Sequence, residues 1–281
     1  MQKLHQRVAV VTGAASGIGA ALARRLAAEG MKLTLADIHE EGLAAVTREL
    51  VDSGGEVLSV PTDVGRPEQM DQLAEQTLSR FGAAHLLCNN AGVGGLASAV
   101  WEMSPDQWDW VIGINVLGVI NGLRSFVPIL MQQDEAHIVN TASIAGLDSG
   151  VIGSYAVTKH AVVVLTEVLN HSLAERAPNV RVSVFCPGPV QTGLMSTVRW
   201  QSDVRTADDQ VVAAYKTLGE RVAAGIQPTD AVDILMEGIR ADRFYILTHP
   251  ELGSRVRLRA EDIVAGRAPT RPPTVPASAD A

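Results

Sequence analysis

Tyr155 and Lys159, separated by Ala156-Val157-Thr158, place a phenol and an ammonium four residues apart, on one face if the segment is helical. A free tyrosine has a pKa of about 10 and is a poor acid or base near neutrality. A lysine cation beside it favours the phenolate and lowers that pKa, so the pair can move a proton to or from a substrate oxygen. Proton transfer to oxygen is half of an alcohol/ketone interconversion; the other half is hydride transfer. Alone the pair is a weak signal, because any long helix can carry it with the lysine solvated and the tyrosine packed.

A site for a hydride carrier stands near the N-terminus. Arg7 to Thr12 form an apolar run suited to a buried parallel strand, and Thr12-Gly13-Ala14-Ala15-Ser16-Gly17-Ile18-Gly19 follows at once. Ala20 to Glu29 then read as a helix. This is the order a pyrophosphate needs: Gly13 for the tight turn, Gly17 for close backbone approach, Gly19 for packing of helix on strand, and the first helical N–H groups for the anion. The spacing Gly-x-x-x-Gly-x-Gly differs from the Gly-x-Gly-x-x-Gly dinucleotide fingerprint. A second strand, Met31 to Ala36, ends in Asp37, 18 residues beyond Gly19. A carboxylate there accepts both ribose hydroxyls of the adenosine half and repels a 2′-phosphate, which favours NAD over NADP. Ile38 and Ser16 offer no cation for that phosphate. The competing expectation for Asp37 is a cap on the helix starting near Glu40.

The elements that must position these groups alternate along the chain. After the first strand come strand-like runs at 31 to 37, 56 to 61, 85 to 88, 136 to 141, 180 to 185 and 243 to 247, with helical stretches between them. That alternation predicts an α/β, Rossmann-like, doubly wound parallel sheet of about seven strands in a single domain.

With these runs in order, the chain from Val8 to about Tyr245 closely resembles the short-chain dehydrogenase/reductase family in its ordinary single-domain form. The resemblance implies that Asp63 and Val64 contact the adenine and that Asn89-Asn90-Ala91-Gly92 steadies the central sheet and lines the cofactor cleft. It implies a catalytic set of Asn115, Ser143, Tyr155 and Lys159, with Asn115 holding a water next to the lysine. Pro187, Gly188, Val190 and Thr192 then seat the nicotinamide carboxamide, and Ser16, Ile18 and Ile38 complete the cofactor contacts. Ser143 and Tyr155 are twelve residues apart where thirteen is more usual, a difference that the glycine-rich loop holding Gly146, Gly150 and Gly153 absorbs. In the mechanism so implied, Tyr155 is the acid/base and Ser143 hydrogen-bonds the same substrate oxygen. Lys159 biases the phenol and bonds the nicotinamide ribose, and Asn115 extends a proton path through water.

The rest of the chain narrows the possibilities. Residues 1–266 are expected to form the NAD-binding domain, with 188–228 covering the substrate, and residues 267–281, rich in proline, a disordered tail. Leu252 to Val264 reads as a short helix. Gly94, Leu96, Ile144, Leu147, Leu194, Met195 and Trp200 are candidates for an apolar substrate wall, and Arg199 and Arg205 leave room for an anionic group. A small hydrophobic secondary alcohol or its ketone is the expected substrate. Cys88 and Cys186 fall on apolar strands, read as core residues, and match no metal spacing. A net charge of −8 speaks against nucleic-acid and anionic-membrane partners. No apolar run approaches the length of a membrane span and the six residues before the first strand are too few for a signal peptide, so a cytoplasmic location is expected. Valines and leucines around much of the Ile152 to Arg176 helix predict burial on more than one side, and the resemblance implies a homodimer or homotetramer built on the helices of Asn115 and Tyr155. Alternatives are an NADPH-dependent ketoreductase of the same fold and a non-catalytic dinucleotide sensor. An extended sugar-nucleotide epimerase is disfavoured by length.

Overall fold

The structure, a computed structural model, describes residues 1–95, 99–148, 153–197 and 209–270. Seven strands, β1 (Val8–Thr12), β2 (Lys32–Asp37), β3 (Val57–Pro61), β4 (Leu86–Asn89), β5 (Ala136–Thr141), β6 (Val180–Cys186) and β7 (Tyr245–Leu247), form one sheet. Their order is β3-β2-β1-β4-β5-β6-β7 and each neighbouring pair is parallel. Helices lie on both faces: α1 (Gly17–Ala28), α2 (Glu40–Asp52), α3 (Pro67–Phe81), α4 (Pro105–Ile112), α5 (Gly118–Leu130), α6 (Gly153–Arg176), α7 (Asp209–Ala223), α8 (Pro228–Arg240) and α9 (Gly253–Val264). The architecture is the doubly wound Rossmann fold that the alternation of elements predicts.

Strand residues are apolar on both sides because both sides are covered. Ala9, Val11, Leu33, Leu35, Leu86, Cys88 and Phe185 pack with α1, α2 and α8, while Val10, Leu87, Ile138, Val182 and Val184 pack with α3, α5 and α6. Phe126 and Phe185 are fully buried, each contributing about 1.5–3 kcal/mol by leaving water.

The helix that carries Asn115 is interrupted. Between α4 and α5, Gly113–Leu117 winds as a π turn, and Gly118 N–H donates to Gly113 O, five residues back. The composite helix Pro105–Leu130 is long and apolar enough to cross a membrane by length and composition, contrary to the reading that no such stretch exists. Val111, Val119, Leu123, Phe126 and Leu130 pack instead into the interior.

The helix expected from Leu252 begins with a 3-10 turn at Pro250–Leu252 and runs as α9. Beyond it, Arg267 and the Thr270 N–H bond to Asp262, which is buried, so the start of the proline-rich stretch is held against α9; residues 271–281 lie outside the described residues.

Candidate active site

A cleft of about 1090 Å3 opens along the carboxyl ends of the strands, on both sides of the point between β1 and β4 where strand order reverses. This is where doubly wound sheets bind ligands. Gly13, Ser16, Gly17, Ile18, Asp37, Ile38, Asp63, Val64, Asn90, Ala91, Gly92, Ser143, Tyr155, Lys159, Pro187, Gly188, Val190 and Thr192 all line it. Gly19 and Asn115 stand behind the wall.

Gly13 and Gly17 have φ of +67° and +53°, where a side chain is strained. A Cβ on Gly13 would lie 2.8 Å from Ala91 Cα, and one on Gly17 would lie 3.1 Å from Thr192 Cγ2 across the cleft. Gly19 differs from the expected helix-to-strand role: its Cβ would run into the Gly13 carbonyl, so this glycine lets the loop fold back on itself. Thr12 and Asn90 fasten the loop to the end of β4. Thr12 Oγ1 accepts from Asn90 N and Ala91 N at 3.0 and 3.1 Å, while Asn90 Nδ2 donates to Thr12 O at 3.1 Å. Ser16 is the N-cap of α1 but makes no capping hydrogen bond with its side chain. The result is a backbone cradle at a helix start with glycine at its points of closest approach, the geometry a pyrophosphate fits.

Asp37 does not cap α2. The cap is His39, whose Nδ1 accepts from Gly42 N at 3.1 Å. Asp37 instead accepts from Ala15 N through Oδ2 and from His39 N through Oδ1, both at 2.9 Å, and so joins the glycine loop to the end of β2. Each carboxylate oxygen has a further lone pair for a ribose hydroxyl. Asp63 Oδ1 accepts from Gly65 N at 2.9 Å, and the Asp63 N–H is held by Gln69.

At the other end Ser143 follows β5, with its hydroxyl accepting from Ala145 N at 3.1 Å. Lys159 Nζ donates to Thr141 O at 2.9 Å and lies 5.6 Å from the centre of the Tyr155 ring. Burial pushes the Tyr155 hydroxyl up to about 12, against a hydrogen bond with Ser143 that pulls it down, and pushes the Lys159 ammonium down to about 8. The expected lowering of the phenol by the lysine is not seen in the chain alone: Nζ is turned to the Thr141 carbonyl, and desolvation of the phenolate dominates. Cys186 is buried beside the pair, and burial pushes its thiol up to about 12.

Asn115, on the π turn, is fully buried, and its amide is committed: Oδ1 accepts from Val93 N at 2.8 Å, and Nδ2 donates to Val93 O at 3.0 Å and Thr158 Oγ1 at 3.1 Å. The side chain is thus part of the scaffold. It clamps the Gly92-Val93 loop to α6, where a Cβ on Gly92 would lie 3.3 Å from both Asn115 Oδ1 and Lys159 Nζ. Asn89 continues the scaffold inward, donating to Asn140 on β5, which donates to Thr166 on α6.

Of the expected apolar wall, Gly94, Ile144, Leu194 and Met195 line the cleft, while Leu147 packs into the core; Leu96, Trp200, Arg199 and Arg205 lie outside the described residues. Sequence reasoning missed Trp110, Leu218, Arg221, His249 and Arg255, all of which line the cleft. His249 was within reach of a simple rule, since it follows the carboxyl end of β7 as Asn90, Ser143 and Pro187 follow theirs. Arg255 on α9 pairs with Asp148, in the loop after Ser143, at 3.2 Å; Asp148 is 1% and Arg255 12% exposed.

A parallel sheet in this order, a glycine cradle at β1 and a serine, tyrosine and lysine gathered at β5 define a dinucleotide-dependent oxidoreductase. The family of short chain dehydrogenases matches residues 7–203, and the chain belongs to it. A short-chain dehydrogenase/reductase from Burkholderia phymatum, solved in complex with NAD, superposes with a TM-score of 0.92 at 45% identity, over 98% of this chain and 100% of that one. A CLA biosynthesis dehydrogenase/reductase of Lactiplantibacillus plantarum is 36% identical over 96% of this chain and 97% of its own. A 1-deoxy-11-beta-hydroxypentalenate dehydrogenase of Streptomyces avermitilis is 34% identical over 92% and 91%. The protein is thus an oxidoreductase that uses NAD or NADP on alcohol or ketone substrates.

Proposed function

We propose that the protein interconverts a hydrophobic secondary alcohol and its ketone with NAD, with Tyr155 as the acid/base. The observation that carries this reading is the convergence of Ser143, Tyr155 and Lys159 at one end of a cleft whose other end holds Asp37 on the glycine loop. The NAD bound by the Burkholderia phymatum relative supports the cofactor, since Asp37 offers a carboxylate and Ile38 no cation to a 2′-phosphate. The apolar lining by Ile144, Leu194, Met195 and Leu218, and the hydroxypentalenate named for the Streptomyces avermitilis relative, support a hydrophobic ligand.

Asp37 would hold the adenosine ribose, Gly13 to Gly19 the pyrophosphate, Asp63 and Val64 the adenine, and Pro187 to Thr192 the nicotinamide end. A nicotinamide held there would supply the acceptor for the hydride of the carbinol carbon. In oxidation, Tyr155 as phenolate takes the hydroxyl proton while the C–H pair leaves, so the carbon–oxygen bond becomes a carbonyl. In reduction Tyr155 returns the proton to the oxygen. Ser143 donates to that oxygen as charge changes on it. Lys159 supplies the cation that makes the phenolate accessible once the site is filled. Asn115 is a positioning residue, holding Gly92 and Val93 against the lysine. Residues 188–228, of which 198–208 lie outside the described residues, would cover the substrate.

The test is formation of reduced cofactor by the purified protein with NAD or NADP over a panel of hydrophobic secondary alcohols, with Tyr155→Phe alongside. Turnover is expected with NAD and is expected to fall at least about 100-fold in the variant. Substantial turnover by Tyr155→Phe would refute the acid/base assignment, and faster rates with NADP would refute the role given to Asp37.

A further inference from the structure

The cleft contains a cation that the reaction above leaves unused. Arg221 stands in the last turn of α7, half-buried, and lines the cleft with Leu218 and Val222 of the same helix and Ile226 beyond it. This face of α7 is turned over the cleft, and Tyr215 fixes it there by donating to Gly95 O at 2.6 Å. The other charged or titratable groups lining the cleft are Asp37, His39, Asp63, Tyr155, Lys159, His249, Glu251 and Arg255, and none of them pairs with Arg221. Arg255 is neutralised by Asp148, and Arg24, in the neighbouring depression, by Glu49. Glu251 is exposed and forms no ion pair with Arg221, whose side chain has no hydrogen bond or ion pair among the described residues.

A guanidinium half-withdrawn from water among apolar side chains loses hydration and gains nothing unless an anion joins it. Its planar fork matches a carboxylate, which accepts two parallel hydrogen bonds from it. We propose that Arg221 recognises a carboxylate of the substrate, so that the substrate is a hydroxy or oxo carboxylic acid with an apolar frame between carboxylate and reacting carbon. Leu194, Met195 and Leu218 offer that frame its surface, and Ser143 and Tyr155 receive the oxygen at the far end. This specificity rests on the alcohol/ketone reading of the site, but its test does not depend on turnover.

The chain and its Arg221→Gln variant, each saturated with NADH, are titrated calorimetrically with decanoate and with methyl decanoate. Decanoate is expected to bind at least about tenfold more tightly than the ester to the unmodified chain, the advantage of one charge-assisted pair, and the ratio is expected to fall to about twofold or less in the variant. Equal affinity for acid and ester in the unmodified chain, binding of neither, or an acid preference that survives in Arg221→Gln would each overturn the proposal. A variant whose NADH affinity drops about tenfold would place Arg221 on the cofactor's pyrophosphate and overturn it equally. Failure of the underlying reading shows elsewhere, as turnover that does not depend on Tyr155.

Discussion

Tyr155 and Lys159 are displaced in opposite directions by the same cause, removal from water, the phenol up to about 12 and the ammonium down to about 8. Alcohol oxidation needs the phenolate, so log kcat/KM should rise with pH with a slope of about one below the apparent pKa of the pair. In Lys159→Met the rising limb should move to higher pH as well as lose amplitude, because the cation that favours phenolate is gone; an unmoved limb would confine Lys159 to binding the ribose. His137 titrates to a different end. It is buried under the sheet, with Nε2 2.8 Å from Ser183 Oγ, and Ser183 in turn donates to Arg243 O. That arrangement assigns the proton to Nε2 and leaves Nδ1 without a partner among the described residues. Burial, aided by the positive N-terminus and Arg181, pushes His137 from 6.5 down to about 3. The unfolded chain therefore takes up a proton below pH 6.5 that the folded chain refuses until about pH 3. Stability is full above that window and falls through it as pH drops, by at most about 1.4 kcal/mol per pH unit. Urea midpoints at pH 7 and pH 5 should differ less in His137→Gln than in the unmodified chain.

At the scale of elements, the Asp148–Arg255 pair joins α9 to the loop between Ser143 and Tyr155, and both Arg255 and Leu252 form part of the cleft wall. Asp148→Asn removes the carboxylate charge from this largely buried pair, which should cost about 3 kcal/mol and loosen that wall. A lower Tm together with a raised KM and a nearly unchanged kcat is the expected signature; an unchanged KM would mean that α9 does not shape the substrate site. This pair was illegible in the sequence, because its members are 107 residues apart and neither stands in a motif. The strands and the glycine cradle were legible, since buried parallel strands are short apolar runs and the cradle needs glycine where φ is positive at Gly13 and Gly17. The π turn at Gly113–Leu117 was not, because winding by one extra residue leaves the composition of a helix unchanged. Asp37 was found for its carboxylate, yet its tie to Ala15 across the loop depends on two strand ends meeting in space.

At the scale of the molecule, the predicted burial of α6 on more than one side is only half met within one chain. Val162 and Val163 are buried, whereas Val157, Val164 and Val168 are 51%, 56% and 57% exposed along one helical face. Leu117 and Ile120, at the π turn and the start of α5, are exposed as well. We propose that a second copy of the chain covers these residues. Sedimentation at micromolar protein should show a dimer or tetramer, and Val164→Glu combined with Val168→Glu should shift it toward monomer; a monomer before mutation would refute the interface. The sheet has a further consequence, for the time course of folding. With every pairing parallel, no strand meets its neighbour through a tight hairpin, and each must wait for a crossover to close. Gly13 and Asp37 come from one side of the β1–β4 seam, and Ser143 and Pro187 from the other. A partly folded chain therefore owns only half a binding site, and during refolding the recovery of dinucleotide affinity should trail the return of helical ellipticity.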